Sequence, residues 1–154
     1  MAAMPSLMRR FLTLTGLLFV LLWTVVQTGR AHAATLTVRA SKVVKVALKE
    51  RGIRYSWGGT SPRSGFDCSG FTRWVYARVG VSLPHSSYAQ FGMGRRVGLR
   101  ALKPGDLLFF NGVGHVGIYI GHGRFVHAPH SGTVVQVTPL SEYRNSIDGA
   151  RRPL

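Results

Sequence analysis

The chain of 154 residues carries 20 Lys and Arg against five Asp and Glu, a formal net charge of +15. A single cysteine excludes an internal disulfide framework, and a length that leaves about 120 residues after any processing holds one domain with a modest core. All five acids and all but three of the bases (Arg9, Arg10 and Arg30) lie beyond residue 33, leaving +12 there and implying polyanionic surroundings. Those bases are scattered and no nucleic-acid-binding motif accompanies them, so the expected surroundings are an anionic envelope or membrane, with no nucleic acid.

Met1–Arg10 is short and ends in Arg9-Arg10, Phe11–Val26 is apolar but for three Thr and a Gly, and Ala31-His32-Ala33 offers small residues before Ala34. This three-part pattern predicts a secretory signal peptide over residues 1–33, with a mature domain over 34–154. The competing reading is an uncleaved anchor, although a 16-residue run falls short of the usual span of about 20. Contact with a membrane is expected only in that case. Cleavage would leave an exported protein in the periplasm, the wall or the medium. In such a compartment a lone thiol is either inert and buried or free and reactive.

Helical spacing of Val43, Val46, Ala47 and Glu50 predicts a helix over Thr35–Arg51, stopped by Gly52. Ile53–Thr60 reads as a short extended piece entering a glycine-rich loop, where Tyr55 and Trp57 would share a face. Cys68 then opens an amphipathic helix whose stripe is Phe71, Val75 and Val79, with Trp74 beside it and Gly80 as terminator. A helix N-terminus favours thiolate, and Asp67 and Ser69-Gly70 are unusual company for a core cysteine. His85–Gln90 reads as a short helix that Ser86 can cap, with His85 more suited to the surface or to a supporting contact than to catalysis. Gly92–Leu99 reads as an Arg-rich loop and Leu102–Asp106 as a turn. Strands are predicted at Leu107–Phe110, His115–Ile120, Arg124–Ala128 and Thr133–Thr138, followed by a polar tail over Glu142–Asp148. Gly112-Val113-Gly114-His115-Val116-Gly117 matches a dinucleotide-binding pattern by chance, because a hairpin rather than a helix follows it.

That hairpin carries two histidines. If Gly121–Gly123 is a three-residue loop, His127 faces Gly117 and His115 lies diagonally beside it on the same face. A two-residue His122-Gly123 turn puts the rings on opposite faces unless a bulge restores parity. On one face, the pair and the thiol form a nucleophile, base and orienting group, with amides at the helix start as part of an oxyanion hole. Structural histidines and a zinc site are the competing readings; no C-x-x-C or H-E-x-x-H spacing supports zinc, and neither metal nor cofactor is expected.

Taken in order, Tyr55-Ser56-Trp57-Gly58-Gly59, Phe66-Asp67-Cys68-Ser69-Gly70-Phe71, Leu83-Pro84-His85-Ser86-Ser87 with Gln90, Leu102–Leu107, His115–Tyr119 and Phe125–Ala128 resemble the NlpC family of papain-like cell-wall cysteine peptidases. The resemblance covers roughly Val38 to Arg152. It implies an α+β, papain-like fold with the nucleophile's helix packed on a central antiparallel sheet. It also implies hydrolysis of peptidoglycan stem peptides, typically between γ-D-glutamate and diaminopimelate or lysine. By position, Cys68 would be the nucleophile, His115 the base and His127 the orienting member. Tyr55 would donate a hydrogen bond, and Asp67 and Ser69 would line the substrate subsite. The expected partners are stem peptides and anionic envelope polymers, met by a monomer. His85 stands where Arg is common in the family. Two alternatives stay open: another amidase or acyltransferase chemistry on the same scaffold, and a wall-binding module without catalysis.

Overall fold

The computed structural model describes residues 34–154, so the predicted signal segment lies outside the described residues. Helix α1 (residues 34–49) presents Val43 and Ala47 to the core, and Gly52, at φ 84°, turns the chain away from it. Strands β1 (Thr60–Ser61) and β2 (Gly65–Phe66) form a small antiparallel ribbon that delivers the chain to α2 (Cys68–Ala77). Phe71, Val75 and Tyr76 repeat at helical spacing on one side of α2 and are fully buried. Val79 falls just beyond the helix, in the turn that Gly80 completes at φ 75°. Ser86 caps the short α3 (Ser87–Phe91) by accepting from the Ala89 amide, as its position predicts.

The rest of the unit, residues 38–154, is built on a six-stranded antiparallel sheet. Its strands are β3 (Arg95–Val97), β4 (Leu107–Phe110), β5 (His115–Gly121), β6 (Arg124–His127), β7 (Gln136–Pro139) and β8 (Ile147–Arg152), in the spatial order β3-β8-β4-β5-β6-β7. All four residues of β4 are apolar because both faces of the sheet are covered. Leu107 and Phe109 meet the helices together with Val116, Ile118 and Val126, whereas Leu108 and Phe110 pack with Phe125, Val97 and Ala150 on the other side.

Two strands depart from the sequence reading. The expected loop Gly92–Leu99 contains β3, and β8 begins at Ile147 within the expected polar tail and runs on to Arg152, lying between β3 and β4. Their strand character comes from neighbours rather than composition: β8 pairs along both edges, and its Arg152 is neutralised by buried Asp106 through two contacts of 2.5 and 2.6 Å. The fourth predicted strand begins later than expected, at Gln136, with Val134 held only by an isolated bridge to Arg54.

Candidate active site

Cys68 is the first residue of α2, and Asp67 is its N-cap. The Asp67 carboxylate accepts from the Gly70 amide at 2.7 Å, the Ser69 hydroxyl at 3.3 Å and the Gly58 amide at 3.0 Å. His85 Nε2 lies 2.9 and 2.8 Å from its two oxygens. One side chain therefore ties the glycine-rich loop, the helix start and the segment before α3 together around the thiol. His85 takes a supporting place, as its setting suggests. Gln90, buried beneath, donates to the Ser69 and Pro84 carbonyls and accepts from Thr72 Oγ1, clamping the first turn from below. The first helical hydrogen bond is from the Phe71 amide to Asp67 O, so the Cys68 and Ser69 amides precede the ladder.

The loop lies tightly against this turn. A Cβ on Gly70 would stand 2.1 Å from the Gly59 carbonyl oxygen, which itself accepts from the Asp67 amide. Tyr55 and Trp57 do not share a face: Tyr55 is half-buried beside Cys68 and Asp67, while Trp57 is 88% exposed because the chain turns through Gly58 at φ 72°. Burial, then the neighbouring Cys68 and Asp67 charges, push the Tyr55 phenol pKa up, so it stays protonated as a donor.

The hairpin combines the two registers that the spacing allows. Ile118 pairs with Val126 and Tyr119 with Phe125, the pairing of a three-residue loop. The connection itself is a two-residue His122-Gly123 turn, both residues at positive φ, and a bulge between Tyr119 and Gly121 restores parity. Both histidines consequently lie on one face, buried, with His115 Nε2 2.8 Å from His127 Nδ1. Gly117 makes room for them: a Cβ there would stand 2.7 Å from the Phe125 ring and 3.1 Å from His127 Cβ. His127 Nε2 lies 3.0 Å from Thr138 Oγ1 on β7, a contact no sequence spacing announces. Because His115 Nε2 and His127 Nδ1 are spent on each other, they do not converge on an ion.

Electrostatics at the site run against the thiolate that a helix N-terminus favours. Burial pushes the Cys68 thiol pKa up and Asp67 adds to this, while the amides of Val116, Ser69 and Cys68 itself oppose it only in part. Burial, helped by His130, pulls His115 down to about 4. His127 is pulled down to about 3 by burial, then by His115 and His130. Thiol and both rings are therefore neutral at pH 7.

A thiol at a helix start and two hydrogen-bonded histidines on an antiparallel sheet are the arrangement of a papain-like cysteine site. The chain belongs to the NlpC/P60 family, whose model matches residues 52–149. It is 44% identical over 110 residues to a probable endopeptidase of Mycobacterium tuberculosis, covering 71% of this chain and 28% of that protein. It is 42% identical over 120 residues to a probable endopeptidase of Corynebacterium glutamicum, covering 77% of this chain and 54% of that one. The chain thus spans about half or less of the length of these relatives. The structure of the peptidoglycan hydrolase RipB from Mycobacterium tuberculosis superposes with a TM-score of 0.71 at 32% identity, covering 79% of this chain and 67% of that one. The fold is α+β and papain-like, as the resemblance implies.

Proposed function

We propose that this protein is a peptidoglycan hydrolase, a cysteine endopeptidase that cuts stem peptides between γ-D-glutamate and diaminopimelate or lysine. The observation that carries the reading is the His115–His127 pair on the strand whose Val116 amide reaches the Cys68 thiol at the start of α2, in a chain whose family relatives are named endopeptidases. Cys68 sulfur attacks the scissile carbonyl carbon while its proton passes to His115 Nδ1, the ring nitrogen not engaged by His127. His127 holds the His115 ring and stabilises its transient charge. Amides at the start of α2 receive the oxyanion, and Tyr55 adds a donor. The leaving amine takes the proton from His115 as the C–N bond breaks, giving a thioester. Water, deprotonated by the same ring, then hydrolyses the thioester and restores the thiol. Asp67 and Ser69 form the subsite wall beside the thiol.

Mass analysis of fragments released from purified peptidoglycan tests the bond assignment. New amino termini on diaminopimelate or lysine are expected; cuts confined to other bonds would refute it.

The same reading places the protein outside the cytoplasm, with residues 1–33 as the removed signal and 34–154 as the working domain. It acts as a monomer, and its +12 charge beyond residue 33 serves as an adhesive for anionic envelope polymers. Support for this comes from the β3–β8 edge, where Arg95 faces Arg152 and Arg96 faces Arg151, like charges opposed across a strand pair. Only Arg152 of these four has a carboxylate partner within an ion-pair distance among the described residues. Wall binding should weaken strongly between 0.1 and 1 M salt, as the Debye length falls from about 10 to about 3 Å, and should weaken likewise in Arg95→Ala/Arg96→Ala. Salt-insensitive binding to isolated walls would remove the adhesive role.

A further inference from the structure

We propose that Thr138 is a positioning residue that sets the tautomers of both site histidines, accepting the His127 Nε2 hydrogen so that His115 is left with a bare Nδ1. The proposal concerns how the site reads a proton and rests on the Proposed function only for its catalytic consequence. Three groups form one unbroken chain: His115 Nε2 to His127 Nδ1 at 2.8 Å, then His127 Nε2 to Thr138 Oγ1 at 3.0 Å. All three are buried, and aromatic rings of Phe125 and Tyr143 close around His127, with centroids at 4.5 and 5.5 Å. Thr138 is placed by the sheet: it pairs with Phe125 on the neighbouring strand and so faces the same side as His127.

Both imidazoles are neutral at pH 7, so each carries one hydrogen and the chain has only two consistent senses. In one, His115 Nε2–H donates to His127 Nδ1, and His127 Nε2–H donates to Thr138 Oγ1. His115 Nδ1 is then a lone pair able to take the Cys68 proton. In the other, the hydroxyl donates to His127 Nε2, His127 Nδ1–H donates to His115 Nε2, and His115 Nδ1 carries a hydrogen. That second sense has no base. The threonine hydroxyl makes the first sense possible by giving a buried N–H its acceptor, since an unpaired buried N–H is more costly than an underused lone pair.

Thr138→Val keeps the volume and the β-branched shape of the strand position but removes the acceptor. The ring should then move its hydrogen from Nε2 to Nδ1. Two-bond proton–nitrogen correlation spectra of 15N-histidine-labelled protein at pH 7 read this directly. Wild type and Thr138→Ser should show Nε2–H on both rings, and Thr138→Val should show Nδ1–H. In peptidoglycan digestion, Thr138→Val should lose about 10- to 100-fold in kcat with KM unchanged, and Thr138→Ser should recover most of it. Nε2–H retained on both rings in Thr138→Val would overturn the proposal, as would Nδ1–H in the wild type. Should wild type fail to cut peptidoglycan while the tautomer shift occurs, the functional reading falls and the role of Thr138 stands.

Discussion

Gly70→Ala should lower the melting temperature by about 10 °C or more and abolish activity. The added methyl would stand 2.1 Å from the Gly59 carbonyl oxygen, which is backbone and already accepts from the Asp67 amide. Neither side can yield without moving the other, so overpacking should cost at least about 3 kcal/mol. The displacement would fall on the turn that aims Cys68, because Gly70 N–H also donates to the Asp67 carboxylate. Gly98→Ala is the matched control: its Cβ would meet nothing within 4 Å and its φ of −70° suits any residue, so stability should change by less than about 0.5 kcal/mol. Circular-dichroism melts of the two variants decide the matter, and equal melting temperatures would show that the loop does not lock the helix start.

The second large effect belongs to His115. Its replacement by alanine should reduce kcat by about 10³-fold or more, since general-base catalysis alone contributes up to about 10⁴. The wild-type pH profile should identify the group. Burial holds the His115 pKa at about 4, so the neutral base should persist well below pH 6 and kcat/KM should fall on the acid side near pH 4. An acid limb near 6.5 would indicate a solvated base and contradict the buried geometry. Stability follows the same sign. The folded pKa values of His115 and His127 lie below the unfolded value of 6.5, so the unfolded chain binds more protons between them. The contribution of the pair is complete above pH 6.5 and is lost as pH falls through about 4 and 3. Acid denaturation should therefore steepen over that window.

Much of this site was legible in the residues. The stripe of Phe71, Val75 and Val79 predicts α2 by its spacing, although Val79 lies past the helix end and Tyr76 completes the buried face, and the small residues after Cys68 allow the glycine loop to close on it. The hairpin was legible as a pair of registers, and the bulge before Gly121 is what reconciles them. Other features were not legible, for identifiable reasons. Strand β8 contains Asp148, Gly149, Arg151 and Arg152 and has no apolar alternation to display; its place is set by the two strands that flank it and by Asp106. The contacts of Asp67 with His85 and of His127 with Thr138 join positions 18 and 11 residues apart in the chain, distances at which no periodicity operates. The raised pKa of the thiol was not legible, because a helix terminus is visible in a sequence whereas the burial that opposes it is a property of the packed site.

The most direct test is digestion of purified peptidoglycan by the protein beside its Cys68→Ala variant. Cys68 is partly buried at the helix start, and loss of its sulfur leaves the Asp67 cap contacts in place, so the variant should fold and still bind the wall. Peptide release is expected from the wild type and none from Cys68→Ala. Release that survives the substitution would contradict this expectation, because no other side chain here could form the thioester.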